Sequence, residues 1–130
     1  MKMLDQKLVG FTLVLIGVFL MVFAQLLLKS RLNIYGAIPF KPSDFVSYFW
    51  QLMQDWKVWV GGIGLVISAL LWYSAVSRIQ LSVAFTISAM SYPLIFIASI
   101  VLLGEDFSYA KLLANLLIVS GVLIIGFSNS

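Results

Sequence analysis

Long apolar runs separated by short polar punctuation set the plan of this chain. The runs cover residues 8–28, 58–77, 81–103 and 112–128, and none contains a charged side chain. A helix needs about 20 apolar residues to cross the hydrocarbon of a bilayer, and about 17 are tolerated. The pattern therefore predicts four transmembrane helices. With their three connections they use up the 130 residues, so the chain reads as one four-helix membrane domain, 1–130. The first run is too long for a signal-peptide core, and no small-residue cleavage site follows it. It reads as a retained span.

The connections carry their own signals. Residues 30–57 form the longest, and Pro42, Ser43 and Asp44 within it predict a helix start with Ser43 or Asp44 as N-cap. Phe45, Tyr48, Phe49 and Trp56 then mark an amphipathic segment, about residues 44–55, at the membrane–water interface. Only Arg78, Ile79 and Gln80 join the second and third runs, which predicts a tight antiparallel hairpin. Gly104 is a helix stop, and Asp106 or Ser108 caps the fourth span. Gly61, Gly64 and Ser68 share one face of the second span, which lets another backbone approach closely. Ala114 and Gly121 form a similar seam on the fourth.

The third span is the most polar, with Ser82, Thr86, Ser88, Ser91, Tyr92 and Ser99 around Pro93. Proline removes a backbone donor and predicts a kink. The carbonyls it frees near Thr86 to Ala89 need protein, water or substrate. Hydroxyls at Ser88, Ser91 and Tyr92 suit a polar cavity for a sugar headgroup; serines in membrane helices also bond to their own backbone. Gln25 and Lys29 lie one turn apart at the end of the first span. Gln25 contacts either a substrate or another helix. Lys29 either snorkels to the interface or reaches a phosphate. Arg78 is an interfacial anchor or a phosphate ligand. Glu105 is a solvated or salt-bridged turn residue, or a partner for a basic group.

Composition narrows the function classes. Hydrophobic residues make up 62% and charged residues 10%, against about 25% charged in a soluble domain. A soluble globular fold is excluded. The chain has no cysteine and no histidine, and no metal-ligand cluster, nucleophile–base pair or phosphate-cradling glycine loop. An enzyme is not expected, nor a metal or cofactor. The net charge of +3 is spread over the loops, which suits anionic lipid headgroups and not nucleic acid. Lys2, Lys7 and Arg78 lie on the side of the termini, and Lys29, Arg31, Lys41, Lys57 and Lys111 on the other. That difference does not set an orientation.

Three segments resemble the small multidrug resistance superfamily and the related four-helix halves of drug/metabolite transporters. The first span ends in Ala24-Gln25-Leu26-Leu27-Leu28-Lys29. The third runs from Leu81-Ser82-Val83-Ala84-Phe85 through Pro93 to Leu103-Gly104-Glu105. The fourth holds Ala114-Asn115 through Ser120-Gly121, similar to the seam by which small multidrug transporters dimerise. Drug-exporting members carry a glutamate within the first span; its place here falls at about Met21. Without an intramembrane carboxylate, a proton relay or cation site loses its central group.

Within the superfamily, Gln25, the stretch Ser88-Ala89-Met90-Ser91-Tyr92 and the exit Leu71-Trp72-Tyr73 before Arg78 look most like undecaprenyl-phosphate–aminoarabinose flippase subunits. The resemblance implies a small-multidrug-resistance-like helical bundle in the bacterial inner membrane. It implies movement of a polyprenyl-phosphate-linked sugar between leaflets by two four-helix subunits, as a homodimer or with a paralogue. On that expectation Gln25, Ser88, Ser91 and Tyr92 line a cleft. Lys29, Arg78 and Glu105 then handle phosphate or headgroup at its ends. Ala114 and Gly121 form the dimer seam. A small-cation or drug exporter, and a membrane scaffold for a glycosyltransferase, are the alternatives.

Overall fold

The computed structural model describes residues 1–128, and the chain is an all-helical integral membrane protein. Its helices are α1 (Lys2–Tyr35), α2 (Pro42–Met53), α3 (Trp56–Val76), α4 (Leu81–Ser88), α5 (Ser91–Leu103) and α6 (Tyr109–Ser128). Four spans, with α4 and α5 together as the third, are long and apolar enough to cross a membrane. At about 1.5 Å per residue the 34 residues of α1 reach about 51 Å. That exceeds the roughly 30 Å of hydrocarbon, so α1 runs into the headgroup layer at its ends.

The core is the antiparallel pairing of α1 with α3. Lipid tails are as apolar as leucine, so close van der Waals packing must hold membrane helices together. Small residues supply it. Gly10, Gly17 and Ala24 of α1 are buried, as are Gly61, Gly64, Ser68 and Ala75 of α3. A Cβ on Gly61 would sit 2.6 Å from Leu28 Cγ, and one on Gly64 3.2 Å from Ala24 Cβ. The face of Gly61, Gly64 and Ser68 is thus the surface on which α1 rests. Val14, Val18 and Val22 join Ala75, Ile79 and Ala84 in the buried cluster, bringing α4 onto the same core.

The headgroup end of α1 is clamped. Gly36 adopts φ 85°, which stops the helix, and its carbonyl accepts the Tyr48 hydroxyl of α2 at 2.7 Å. Asp55, with its side chain 5% exposed, is the N-cap of α3 and accepts the Lys57 backbone N–H at 3.0 Å. The same carboxylate accepts Arg31 Nε and, at 3.1 Å, the Tyr35 hydroxyl. Burial pushes the Asp55 pKa up. The Arg31 guanidinium, the Lys57 N–H and the Tyr35 hydroxyl outweigh that and hold it below the ordinary carboxylate value.

One local expectation is corrected. The interfacial helix starts earlier than Ser43, because Pro42 takes the first helical position and leaves Lys41 at the N-cap. The third span is interrupted as Pro93 predicts: its helix breaks at Ala89 and Met90, at the carbonyl that Pro93 has no N–H to reach, and Pro93 falls in the first turn of α5. The Ala89 carbonyl accepts the Tyr92 N–H at 3.1 Å. Gly104 ends α5 in the left-handed conformation, with Glu105 N–H returning to the Ser99 carbonyl. Helix α6 begins after Ser108, whose carbonyl accepts the Leu112 N–H at 3.0 Å. It lies against α5 and α4, and no described residue of it is fully buried.

Candidate functional site

A cleft of about 540 Å³ opens between α1, α3 and the α4–α5 break. The small-residue pairing of α1 with α3 makes its floor through Gly17 and Ser68. Trp72 and Phe85 meet edge to face at 5.0 Å and make an apolar wall. The break turns Ser88, Ala89, Ser91 and Tyr92 toward the same space. Gln25 lines it from α1 and Tyr73 from α3. Phe85, Tyr73 and Tyr92 are exposed on the outer surface, so the cleft is open sideways toward lipid.

The lining is uncharged and mostly apolar, with polar groups at Gln25, Ser68, Tyr73, Ser88, Ser91 and Tyr92. Met21 faces the cleft from α1, and no lining residue is a carboxylate or an amine. Ser88 donates to the Phe85 carbonyl at 2.8 Å, so only its oxygen lone pairs remain for another partner. Among the described residues, the Gln25 amide, the Ser91 hydroxyl and the Tyr92 phenol have no hydrogen-bond partner within the chain. They offer donors and acceptors without net charge. The volume falls within the ordinary range for small-ligand sites; it admits a sugar headgroup and cannot enclose a polyprenyl chain.

The charged residues singled out in the sequence lie elsewhere. Lys29 shares a helix face with Gln25 but opens into a separate surface recess with Asn33 and Gly36. Arg78 sits exposed in the α3–α4 turn, where its guanidinium donates to the Ser74 hydroxyl at 2.8 Å and the Ser77 hydroxyl at 3.2 Å. Glu105 lines a second cavity, of about 330 Å³, between α5 and α6. Tyr92 lines both cavities. Ala114 is exposed, and a Cβ on Gly121 would meet open space.

Sequence reasoning missed Met21, Ser68, Trp72 and Phe85 as lining residues. It also missed the Asp55 clamp, although an aspartate directly before an apolar helical run is a start signal.

No family model matches the chain, and no solved structure does. The chain is 35% identical over 122 residues to a Klebsiella pneumoniae protein described as the probable 4-amino-4-deoxy-L-arabinose-phosphoundecaprenol flippase subunit ArnF. That match covers 89% of this chain and 94% of the relative. Proteins of the same description from Escherichia fergusonii and Shigella flexneri are 36% and 34% identical over 85 residues, 63% of this chain and 66% of each relative. With that identity spread over nearly the whole length of the Klebsiella relative, the chain belongs to the ArnF family of flippase subunits.

Proposed function

We propose that this chain is one subunit of a flippase that moves an amino-sugar phosphoundecaprenol between the leaflets of the bacterial inner membrane. The observation that carries the reading is an uncharged cleft, open to lipid, that sets the polar side chains of Gln25, Ser88, Ser91 and Tyr92 among apolar walls, in a chain of the ArnF family. In this reading the sugar crosses through the cleft while the polyprenyl tail stays in the bilayer. Polar groups without partners are costly at membrane depth; a headgroup rich in hydroxyls supplies partners. Lys29 and Arg78, at opposite membrane faces, receive the phosphate before and after passage. Four helices enclose little space, and α6 has no fully buried described residue. A second four-helix subunit, the same chain or a paralogue, therefore packs along Ala114 and Gly121.

The test is leaflet translocation of a short-chain polyprenyl-phosphate amino sugar in proteoliposomes, with the protein alone and with a co-expressed paralogous subunit. Gln25→Ala and Ser91→Ala should each slow translocation roughly tenfold, the size of one lost hydrogen bond to a buried partner. Absence of protein-dependent movement in either preparation would reject the flippase reading.

A further inference from the structure

The second cavity, between α5 and α6, holds the unusual polar chemistry of this molecule. Glu105 and Asp106 line its headgroup end together with Lys111, and Asn115 lines it one turn below Lys111. Asn115 Nδ2 donates to the Lys111 carbonyl at 2.8 Å. A carbonyl can only accept, so this bond fixes which way the amide faces. Asn115 Oδ1 is then the atom left over. It is buried and has no hydrogen-bond partner among the described residues. A buried acceptor left unsatisfied is costly, and more so at membrane depth. Ser99 cannot relieve it, because its hydroxyl donates to the Phe96 carbonyl at 3.0 Å.

What is missing is a hydrogen-bond donor. Two carboxylates against one ammonium make the lining net negative, so a donor carrying positive charge fits better than a neutral one. Tyr92 lines this cavity and the cleft alike, so the two lie on either side of one side chain.

We infer that the α5–α6 cavity is a second headgroup subsite that receives the protonated amine of the sugar, with Asn115 Oδ1 and the Glu105 carboxylate as its acceptors. This rests on the flippase reading above and adds to it a specificity that the uncharged cleft does not supply. Gln25, Ser91 and Tyr92 recognise a sugar; Asn115 and Glu105 select one bearing an amine.

The experiment compares two probes: a short-chain polyprenyl-phosphate 4-amino sugar and the same lipid N-acetylated, which has no positive charge. Their dissociation constants are measured with the full chain in nanodiscs. Wild type should bind the amino lipid about tenfold more tightly, the contribution of about one charge-assisted hydrogen bond. Glu105→Gln and Asn115→Leu should each shrink that ratio toward one. Gln25→Ala should weaken both lipids and leave the ratio intact. If wild type binds the two lipids equally, or if the ratio survives both cavity substitutions, the subsite is overturned and the flippase reading stands. If neither lipid binds wild type, the two fall together.

Discussion

Arg31, near the end of α1, donates to Asp55, the residue that caps the start of α3, so one carboxylate fixes both the pairing of two spans and the first turn of the second. The Tyr35 hydroxyl completes its coordination. Asp55→Ala removes the cap and the pair together, while Asp55→Asn keeps a capping oxygen and loses the charge. Thermal unfolding in detergent should therefore show a larger drop in Tm for Asp55→Ala than for Asp55→Asn. Equal drops would mean that the cap contributes nothing.

The same group gives stability a pH dependence. The pKa of Asp55 is lower in the folded protein than its ordinary value. Its stabilisation is then fully present above the unfolded value, about 3.9, and is lost as pH falls from there through the folded value. Melting curves between neutral pH and pH 3 should show wild type losing more stability than Asp55→Asn. Parallel curves would show that another group governs the acid limb.

Packing of α1 on α3 predicts a contrast between adjacent glycines. A Cβ at Gly61 meets Leu28 Cγ at 2.6 Å, whereas one at Gly62 meets nothing within 4 Å. Gly61→Val should destabilise by about 1–3 kcal/mol through overpacking, and Gly62→Val should be close to neutral. Chemical denaturation in mixed micelles measures both.

Pro93 predicts a separation of function from stability. With alanine there, a new N–H can donate to the Ala89 carbonyl, which now accepts the Tyr92 N–H, and α4 and α5 can merge into one straight helix. Ser88 and Ser91 would then turn away from their shared space. Pro93→Ala should keep or raise Tm while slowing translocation several-fold. Unaltered translocation would show that the break is dispensable.

The four spans were legible because an uninterrupted apolar run of spanning length has few other uses. The α3 face of Gly61, Gly64 and Ser68 was legible for a related reason: small residues at helical spacing permit a contact that large ones forbid. The polar side of the cleft could be read from the hydroxyls near Pro93. Its apolar side could not, because Trp72 or Phe85 looks the same in sequence whether it faces lipid, core or ligand. The pairing of Arg31 with Asp55 depends on how residues 36–54 fold back, which no local pattern encodes. Lys29 shows the limit of face arithmetic. It is one turn from Gln25, yet it lines a different recess, formed by the end of α1 and the chain after Gly36.

The cleft has no lining side chain charged at neutral pH, and on the proposed flippase reading this governs how transport feels the membrane potential. One charge moved across 100 mV involves about 2.3 kcal/mol. A wall without charge adds nothing to that sum, so the voltage dependence belongs to the cargo alone. A lipid phosphodiester with a protonated amino sugar has compensating charges and crosses without net electrical work. The same lipid with its amine masked is an anion, and its direction of travel would follow the field.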